Sequence, residues 1–337
     1  MSSLVHIAID AMGGDSGPRL CISAALKFAE LNPSVQLTLV GDRQQLTSIQ
    51  SSLPHQIQII PVDEQVKMTD RPSSALRHKR NSSMAVAVQM VADGKAHACV
   101  SAGNTGALMA FGLHLVGTMP GIERPAICKA VPTKTGSCWI LDLGANLECH
   151  AENLRQFAVM GDALARVAGV TAPRVALLNV GIEAQKGKSL QQEAAHLLEG
   201  QDNLNFTGFI EAGDIYRGGA DVVVCDGFTG NVLLKASEGV ADLLRDSLKQ
   251  AFVGHLGFKL AAWFARPVLK KWAGRYDPAR LNGASLLGLK GIVVKSHGTT
   301  TEEGFLAALN VAYEQALNGI VDRIAAAVGR NNNTEMR

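Results

Sequence analysis

The chain alternates short apolar, β-branched runs with longer segments of helical periodicity. Several of the apolar runs are continuous, which is typical of strands covered on both faces. The runs predict nine strands, at 4–9, 35–40, 57–62, 98–101, 139–143, 175–180, 205–210, 222–225 and 292–295. The segments between them predict helices near 18–31, 73–93, 105–117, 151–168, 188–199, 231–252 and 302–328.

This alternation predicts an α/β fold in which three layers, helix, sheet and helix, surround a mostly parallel sheet. No linker divides the chain, so we expect one catalytic domain over residues 1–330 and a disordered tail at 331–337. In open parallel sheets, ligands bind at the carboxyl ends of the strands. We therefore expect the polar loops that follow the strands to gather on one edge of the sheet.

Composition narrows the classes of protein that remain. Hydrophobic residues make up 47% of the chain, which excludes a disordered or fibrous protein. The 32 Lys and Arg nearly balance the 30 Asp and Glu, so the charge does not point to nucleic acid. The six cysteines lack metal-ligand spacing, and no stretch reaches the roughly 18 apolar residues of a membrane span. We expect a cytoplasmic protein without a metal site.

Two glycine-containing loops follow predicted strands and open predicted helices. In the first, paired glycines let backbone N–H groups turn toward a ligand. In the second, hydroxyl and amide side chains at a helix start suit a phosphate or an oxyanion. Helix capping is the alternative interpretation of both loops. The candidate ligands are Asp10, Gly13, Gly14, Asp15, Ser101, Gly103, Asn104 and Thr105.

Three further loops offer polar groups after strands. Residues 181–189 resemble a P-loop but have five residues between the glycines where that motif has four, so Lys186 fits another anion better than a nucleotide. His297 is the best-placed general acid or base among the histidines. A solvated turn and a structural histidine are the alternatives. The third loop and the helix after it supply Asp226, Gly227, Thr229, Asn231 and Lys235.

The inventory as a whole lacks the usual nucleophile and dinucleotide motifs. No G-x-S-x-G elbow, reactive-cysteine motif or G-x-G-x-x-G occurs in the sequence. Amides, glycines, lysines and hydroxyls instead fit the positioning of a small anion. The sequence thus favours this role over the formation of a covalent enzyme intermediate.

Taken together, these motifs resemble the bacterial phosphate acyltransferase family (acyl carrier protein:phosphate transacylase, the PlsX family). The resemblance spans nearly the whole chain. Its motifs are IAIDAMGGD at 7–15, SAGNTGAL at 101–108, ERPA at 123–126, LDLGAN at 141–146, CDGFTGNVLLK at 225–235 and LLGLKGIVVKSHG at 286–298.

The resemblance implies a homodimer with a fold like that of phosphotransacylases and isopropylmalate dehydrogenase. It implies transfer of a long acyl chain from acyl carrier protein to inorganic phosphate, without a cofactor. The product, an acyl phosphate, would serve phospholipid (phosphatidic acid) synthesis beside the membrane glycerol-3-phosphate acyltransferase. We expect Lys186, Asn231 and His297 to be catalytic, and the loops at 101–106 and 226–231 with Lys235 to hold phosphate or the oxyanion.

Residues 245–280 differ from the rest, with eight basic residues against two acidic ones. Pro267 predicts two short helices, hence a basic, aromatic helical hairpin. Such a surface suits acidic acyl carrier protein or an anionic membrane, and it predicts peripheral membrane association. An ordinary surface hairpin or dimer contact is the alternative. The candidate contacts are Lys259, Trp263, Arg266, Lys270 and Lys271.

Three other functions remain open. A short-chain phosphotransacylase using coenzyme A would share the chemistry. A decarboxylating nicotinamide dehydrogenase would share the fold but needs a catalytic Lys/Tyr pair, and the chain has three tyrosines. A non-catalytic scaffold that recruits lipid synthesis to the membrane would depend on the hairpin.

Overall fold

The computed structural model describes residues 4–251, 264–265, 267–268 and 282–334. These residues form one mixed sheet of eleven strands with helices on both faces. The strands are β1 His6–Asp10, β2 Gln36–Asp42, β3 Ile57–Val62, β4 Ala98–Ser101, β5 Ala126–Pro132, β6 Ser137–Leu141, β7 Val175–Leu178, β8 Phe206–Ile210, β9 Val222–Val224, β10 Ala284–Leu287 and β11 Ile292–Lys295.

The helices connect these strands across the two faces of the sheet. They are α1 Gly17–Leu31, α2 Arg43–Thr47, α3 Pro72–His78, α4 Ser83–Ala92, α5 Thr105–Phe111, α6 Ala151–Val167, α7 Ser189–Glu199, α8 Ala212–Arg217, α9 Gly227–Ala251, α10 Glu302–Leu317 and α11 Ile320–Thr334. A π-helical turn, Gly112–Val116, continues α5, and short 3₁₀ turns occur at Gln50–Ser52 and Ala184–Lys186.

Two hydrophobic cores, one on each face of the sheet, establish the three-layer α/β/α architecture. Phe28 of α1, Phe157 of α6 and Phe305 of α10 are buried on one face, where α7 and α11 also pack. Phe111 of α5 and Ile215 of α8 are buried on the other, together with residues of α3, α4 and α9. The predicted α/β/α fold with a mostly parallel sheet is confirmed.

The strand order is β3-β2-β1-β4-β11-β10-β5-β6-β9-β7-β8. Parallel pairing joins β3, β2, β1, β4 and β11, and it also joins β6, β9, β7 and β8. Between these groups the pairs β11–β10, β10–β5 and β5–β6 are antiparallel. Three reversals leave the second group running opposite to the first.

This reversal corrects the expectation that the polar loops share one edge of the sheet. The loops after β1, β4 and β11 leave the sheet in one direction. The loops after β6, β9 and β7 leave in the opposite direction, because their strands run the other way. The candidate residues therefore form groups at opposite edges.

All nine predicted strands are present, and two further strands, β5 and β10, were missed. Both are antiparallel strands inside the sheet. Lys129 and Pro132 interrupt the apolar run of β5, and β10 has only four residues.

Two predicted helices are divided. The segment 73–93 forms α3 and α4, and 302–328 is interrupted at Gly319, whose φ is +60°. The predicted hairpin at 245–280 lies mostly outside the described residues. At the predicted tail, α11 continues to Thr334, and residues 335–337 lie outside the described residues.

Candidate functional site

A row of polar residues crosses the centre of the sheet through strands that are otherwise apolar. Asp10 pairs with Ser101, and Ser101 pairs with Lys295 on the next strand. Lys295 pairs with Ala284, and the register of β10 on β5 places Ala284 beside Lys129. Since neighbouring strands lie about 4.8 Å apart, the backbones of Lys295 and Lys129 are about 10 Å apart.

The members of this row project from one face of the sheet. Side chains two residues apart in a strand share a face. The residues two positions before the row, Ala8, Cys99, Val293 and Ile127, are all buried in the core beneath α4, α5 and α9. Asp10, Ser101, Lys295 and Lys129 consequently point toward that helical layer.

Asp10 is held inside the protein by neutral donors. It is 1% exposed, and its two oxygens accept hydrogen bonds from Ser83 Oγ and Ser101 Oγ, each at 2.6 Å. The backbone N–H of Met12 donates to it at 3.3 Å. Burial raises the pKa of the Asp10 carboxyl. Ser101 Oγ in turn accepts from the N–H of Gly103, which ties the loop after β4 to this carboxyl.

The glycines of the first loop allow three loops to pack together. A Cβ on Gly13 would lie 2.6 Å from the backbone nitrogen of Gly103. Gly14 has a φ of +85°, and a Cβ there would lie 2.9 Å from the carbonyl oxygen of Gly298. That carbonyl accepts a hydrogen bond from the N–H of Asp15 at 2.9 Å. Thus the loops after β1, β4 and β11 form one polar group.

Lys295 is the cation nearest this group. Its Nζ donates to the carbonyl oxygens of Ala102, at 3.3 Å, and Ser296. Burial lowers the pKa of Lys295 to about 8, although the nearby Asp10 carboxylate acts in the opposite direction. The charge of Lys235 lowers the pKa further. Lys295 can therefore lose its proton at mildly alkaline pH.

Helix α9 brings two more charged residues to the row. Glu238 accepts hydrogen bonds from Lys235 Nζ at 2.9 Å and from Lys129 Nζ at 3.3 Å. The side chain of Lys129 is only 14% exposed, so it stands largely inside the protein. We call Lys129, Lys235, Lys295 and His297 the basic cluster. Glu238 is the acid that joins two of its members.

His297 completes the basic cluster from the loop after β11. Burial lowers the pKa of its imidazole, and the charges of Lys235 and Lys295 lower it further. Its Nδ1 lies 2.9 Å from Thr299 Oγ1. The buried Asn282 fixes its backbone, since Asn282 Oδ1 accepts from the N–H of His297 at 3.0 Å. The imidazole is thus neutral at physiological pH and can accept a proton.

Asn104 and Thr105 have structural contacts in the loop after β4. Asn104 Oδ1 caps α5 by accepting from the N–H of Ala107 at 2.9 Å. Its Nδ2 donates to the carbonyls of Met68 and Asp70. Thr105 is the first residue of α5. The cap therefore accounts for the polar contacts of Asn104.

The group at the opposite edge contains Asp226, Gly227, Thr229 and Asn231. Asp226 accepts from the N–H and the hydroxyl of Thr229, at 2.9 and 2.7 Å, and thereby caps α9. The N–H of Gly227 donates to the carbonyl of Asn146, which closes the loop after β6 against this cap. Asn231 lies against Gly144 of the same loop. Asn231 also stands one helical turn, about 6 Å, before Lys235 of the basic cluster.

Lys186 lies farther away still. It follows β7, three strand spacings or about 14 Å from β5 and five spacings or about 24 Å from β11. Its Nζ forms an ion pair with Glu183 Oε2 at 2.9 Å, which raises the pKa of the lysine. Both side chains are about half exposed.

Sequence reasoning missed Lys129, Glu238, Asn282, Ser83 and Lys295. The signal for Lys295 was available, since a lysine two positions after an apolar strand residue, Val293, shares its buried face. No comparable signal existed for Lys129, because β5 itself was not predicted. The predicted contacts Lys259, Trp263, Arg266, Lys270 and Lys271 lie outside the described residues.

Two features are absent from the described part of the chain. No group of three or more His, Cys, Asp or Glu side chains is arranged to hold a metal ion there. Among the helices that the structure describes, none combines the length and the apolar character required to cross a bilayer.

Two solved structures of enzymes share this fold. A phosphotransacetylase from Streptococcus pyogenes matches with a TM-score of 0.61, covering 94% of this chain and 95% of that one at 16% identity. A 4-hydroxythreonine-4-phosphate dehydrogenase from Klebsiella pneumoniae matches with a TM-score of 0.57, covering 93% and 100% at 16% identity. At these identities the likeness establishes the fold alone.

Sequence comparison gives much closer relatives. A protein of Saccharophagus degradans named phosphate acyltransferase is 52% identical over 97% of both chains. One of Pseudomonas aeruginosa with the same name is 51% identical over 94% of this chain and 96% of its own. The family model described as fatty acid synthesis protein matches residues 5–323. The chain therefore belongs to the fatty acid synthesis protein family, as its motifs predicted.

Proposed function

We propose that this enzyme transfers a long acyl chain from the thioester of acyl carrier protein to inorganic phosphate, forming an acyl phosphate for phospholipid synthesis. Acyl transfer to phosphate is the activity in the name of relatives that share half of its residues over nearly the full chain. The family description adds the connection to fatty acid synthesis. The acyl carrier protein donor, the long chain and the phospholipid product are the finer parts of the proposal.

The basic cluster is the observation that carries this proposal. Three lysines and a histidine face one another across β5, β11 and α9, with Glu238 as the acid bound between two of them. Lysine ammonium groups are common phosphate ligands. A phosphate dianion among Lys129, Lys235 and Lys295 relieves their mutual repulsion, and it stands close to the neutral imidazole of His297.

The reaction is balanced with these groups alone. A phosphate oxygen attacks the thioester carbon, the new C–O bond forms, and the C–S bond then breaks to release a thiolate. His297, neutral because its pKa is lowered by burial, accepts the proton of the attacking hydrogen phosphate. The Lys295 ammonium, whose pKa is about 8, supplies a proton to a thiolate whose conjugate thiol has a pKa of roughly 8.5. The His297 imidazolium then returns its proton to the Lys295 amine, so both groups regain their starting protonation states.

The oxyanion of the tetrahedral intermediate needs donors in the same place. The ammonium groups of Lys295 and Lys235 stand beside the proposed phosphate position and can stabilise this oxyanion. Preorganised charge of this kind accounts for most of the rate enhancement of many enzymes. The buried Asp10–Ser101 pair then serves to hold the loop after β4 against Lys295.

The test is release of free thiol from long-chain acyl carrier protein, with and without phosphate. We expect phosphate-dependent release, and a fall in kcat of about 100-fold in Lys295→Met. Lys290→Met, at an exposed lysine near the same strand, is the matched control and keeps wild-type rates. If acetyl-coenzyme A were turned over at an equal rate, the short-chain phosphotransacylase alternative would replace the proposal of a long-chain donor. No phosphate dependence would refute the proposal.

Lys186 and Asn231 remain proposed catalytic residues. Asn231 precedes Lys235 by one turn of α9, so it stands near the basic cluster within the same chain. Lys186, which follows β7, enters this mechanism only through a second subunit. If the protein acts as a homodimer that brings the two edges together, Lys186→Ala lowers acyl phosphate formation while the fold is kept. Wild-type rates in Lys186→Ala and Asn231→Ala would remove them from the site.

The proposed partners follow from residues 245–280. We propose that this segment docks acidic acyl carrier protein and holds the enzyme peripherally on anionic membrane, near the membrane glycerol-3-phosphate acyltransferase, on the cytoplasmic side. Charge reversal at Lys270 and Lys271 then weakens vesicle binding or raises the KM for acyl carrier protein. If neither quantity changes, the segment is an ordinary surface or dimer contact.

A further inference from the structure

An apolar groove begins at the basic cluster and continues along α9. It has a volume of about 570 Å³ and lies between the carboxyl-terminal half of β5 and the helix. The aliphatic side chains that line it are Val131, Leu234, Val240, Ala241 and Leu244. Pockets of this size are typical of small-ligand sites.

The polar groups of the groove are unevenly distributed. Lys129 and Glu238, which belong to the site described above, stand at one end. Within the groove, the hydroxyl of Tyr216 donates to Ser237 Oγ, and Ser237 donates to the carbonyl of Leu233. The hydrogen-bonding groups of these two hydroxyls are thus occupied by each other and by a carbonyl of α9. Toward Leu244 the helical side of the wall is aliphatic, with Val240 and Ala241, while Thr133 and Lys134 line the opposite side after β5.

The walls of the groove are fixed by the fold. On one side, the turn after β5 is tied to α8 by the N–H of Lys134, which donates to the carbonyl of Tyr216 at 3.0 Å. On the other side, α9 is an uninterrupted helix from Gly227 to Ala251. Val240 and Leu244 are more than half exposed, so α9 presents an apolar stripe without a covering element among the described residues.

We propose that this groove binds the acyl chain of the substrate, with its carboxyl-derived end at the basic cluster and its methyl end toward Leu244. The proposal rests on the function proposed above. An occupant that is anionic or polar at one end and aliphatic along its length matches the charged mouth at Lys129 and Glu238 and the aliphatic side of the groove along α9. An acyl phosphate and an acyl thioester both have this character.

The length of the groove sets a measurable limit. From Lys235 to Leu244 the helix rises about 14 Å, at 1.5 Å per residue. An extended chain advances roughly 1.2 Å per bond. About twelve carbons therefore fill the groove, and further carbons extend beyond Leu244. Ala241 stands about 9 Å along the helix, which corresponds to roughly eight carbons.

The experiment measures the affinity of n-alkyl phosphates of six to sixteen carbons by calorimetry, below their micelle concentrations. These compounds share the charged head and the chain but cannot transfer an acyl group. In the wild type we expect the affinity to rise two- to fourfold per added carbon and to level off near twelve carbons. The fourfold value corresponds to full burial of each added CH₂ group. In Ala241→Trp the rise ends near eight carbons, while six-carbon affinity is unchanged.

Leu243→Trp is the matched control. Leu243 is an exposed neighbour on the same helix that does not line the groove, so this variant keeps the wild-type limit. An affinity that does not depend on chain length would overturn the proposal and assign the groove to the chain's own residues 252–281. If Ala241→Trp dissociated a dimer and weakened the binding of alkyl phosphates of every length equally, the proposal would be overturned, and the groove would be a contact with a second copy of the chain. Thiol release by the wild type reports separately on the proposed function.

Discussion

Replacing Lys295 by methionine should stabilise the protein while it removes activity. A lysine whose pKa falls from 10.5 to about 8 on folding loses about 3 kcal/mol of stability at neutral pH, because its charged form is disfavoured by burial. Methionine occupies a similar volume without charge. The hydrogen bonds to the Ala102 and Ser296 carbonyls are lost, which subtracts about 1 kcal/mol. We expect a net gain of about 2 kcal/mol at pH 7.

The pH dependence of this gain is the sharper part of the prediction. Between about pH 8 and 10.5 the unfolded wild-type chain binds a proton at Lys295 that the folded chain releases, so its stability rises with pH through this interval. Below about pH 8 both states are protonated and the burial cost is constant. The advantage of Lys295→Met is therefore constant up to about pH 8 and falls to zero or below near pH 10.5.

The assay is urea unfolding followed by circular dichroism from pH 6.5 to 10.5, with the wild type and both variants compared at each pH. Lys290→Met supplies the control, since that side chain is exposed and its replacement should change stability by less than about 0.5 kcal/mol at every pH. A variant less stable than wild type at pH 7, or a difference that does not change with pH, would refute the burial argument.

Three further outcomes test the packing and the caps. Gly230→Ala should prevent normal folding, because the new Cβ would clash with the carbonyl oxygen of Asp142. Gly239→Ala is the control on the same helix: its Cβ would meet open space, so the melting temperature should rise slightly. Asp226→Ala should cost about 1 kcal/mol in urea unfolding through loss of the cap, and a smaller loss in Asp226→Asn would agree. Ser101→Ala should cost about 1.5–3 kcal/mol, since it removes a donor from a buried carboxyl; an unchanged urea midpoint would contradict that assignment.

The sequence predicted the fold class because that depends on patterns that are local. Apolar runs such as 98–100 and 175–178 are typical of strands covered on both faces, and their alternation with helices indicates the layers. The relative direction of the strands is not local. It depends on β5 and β10, whose patterns are weak because Lys129 and Pro132 interrupt the first and the second is short.

The wrong strand directions led directly to a wrong expectation about where the candidate residues lie. The rule that ligands bind at the carboxyl ends of parallel strands holds within each half of the sheet, but an odd number of antiparallel steps separates β4 from β9. Loop composition leaves two interpretations open, since Asn104 and Asp226 have the residue types of phosphate ligands and of helix caps alike. In the structure both side chains cap helices.

The missed strands explain why the basic cluster stands where it does. The row from Asp10 to Lys129 crosses the seam where the two halves of the sheet meet, so one half contributes loop residues such as His297 and the other contributes α9. Helix α9 starts at the opposite edge and runs back across the sheet. Lys235 therefore lies at the seam, about 12 Å along the helix from its first residue, Gly227. Neither half alone holds the cluster. An anion bound there contacts both halves and therefore stabilises their association, which links binding to the integrity of the whole sheet.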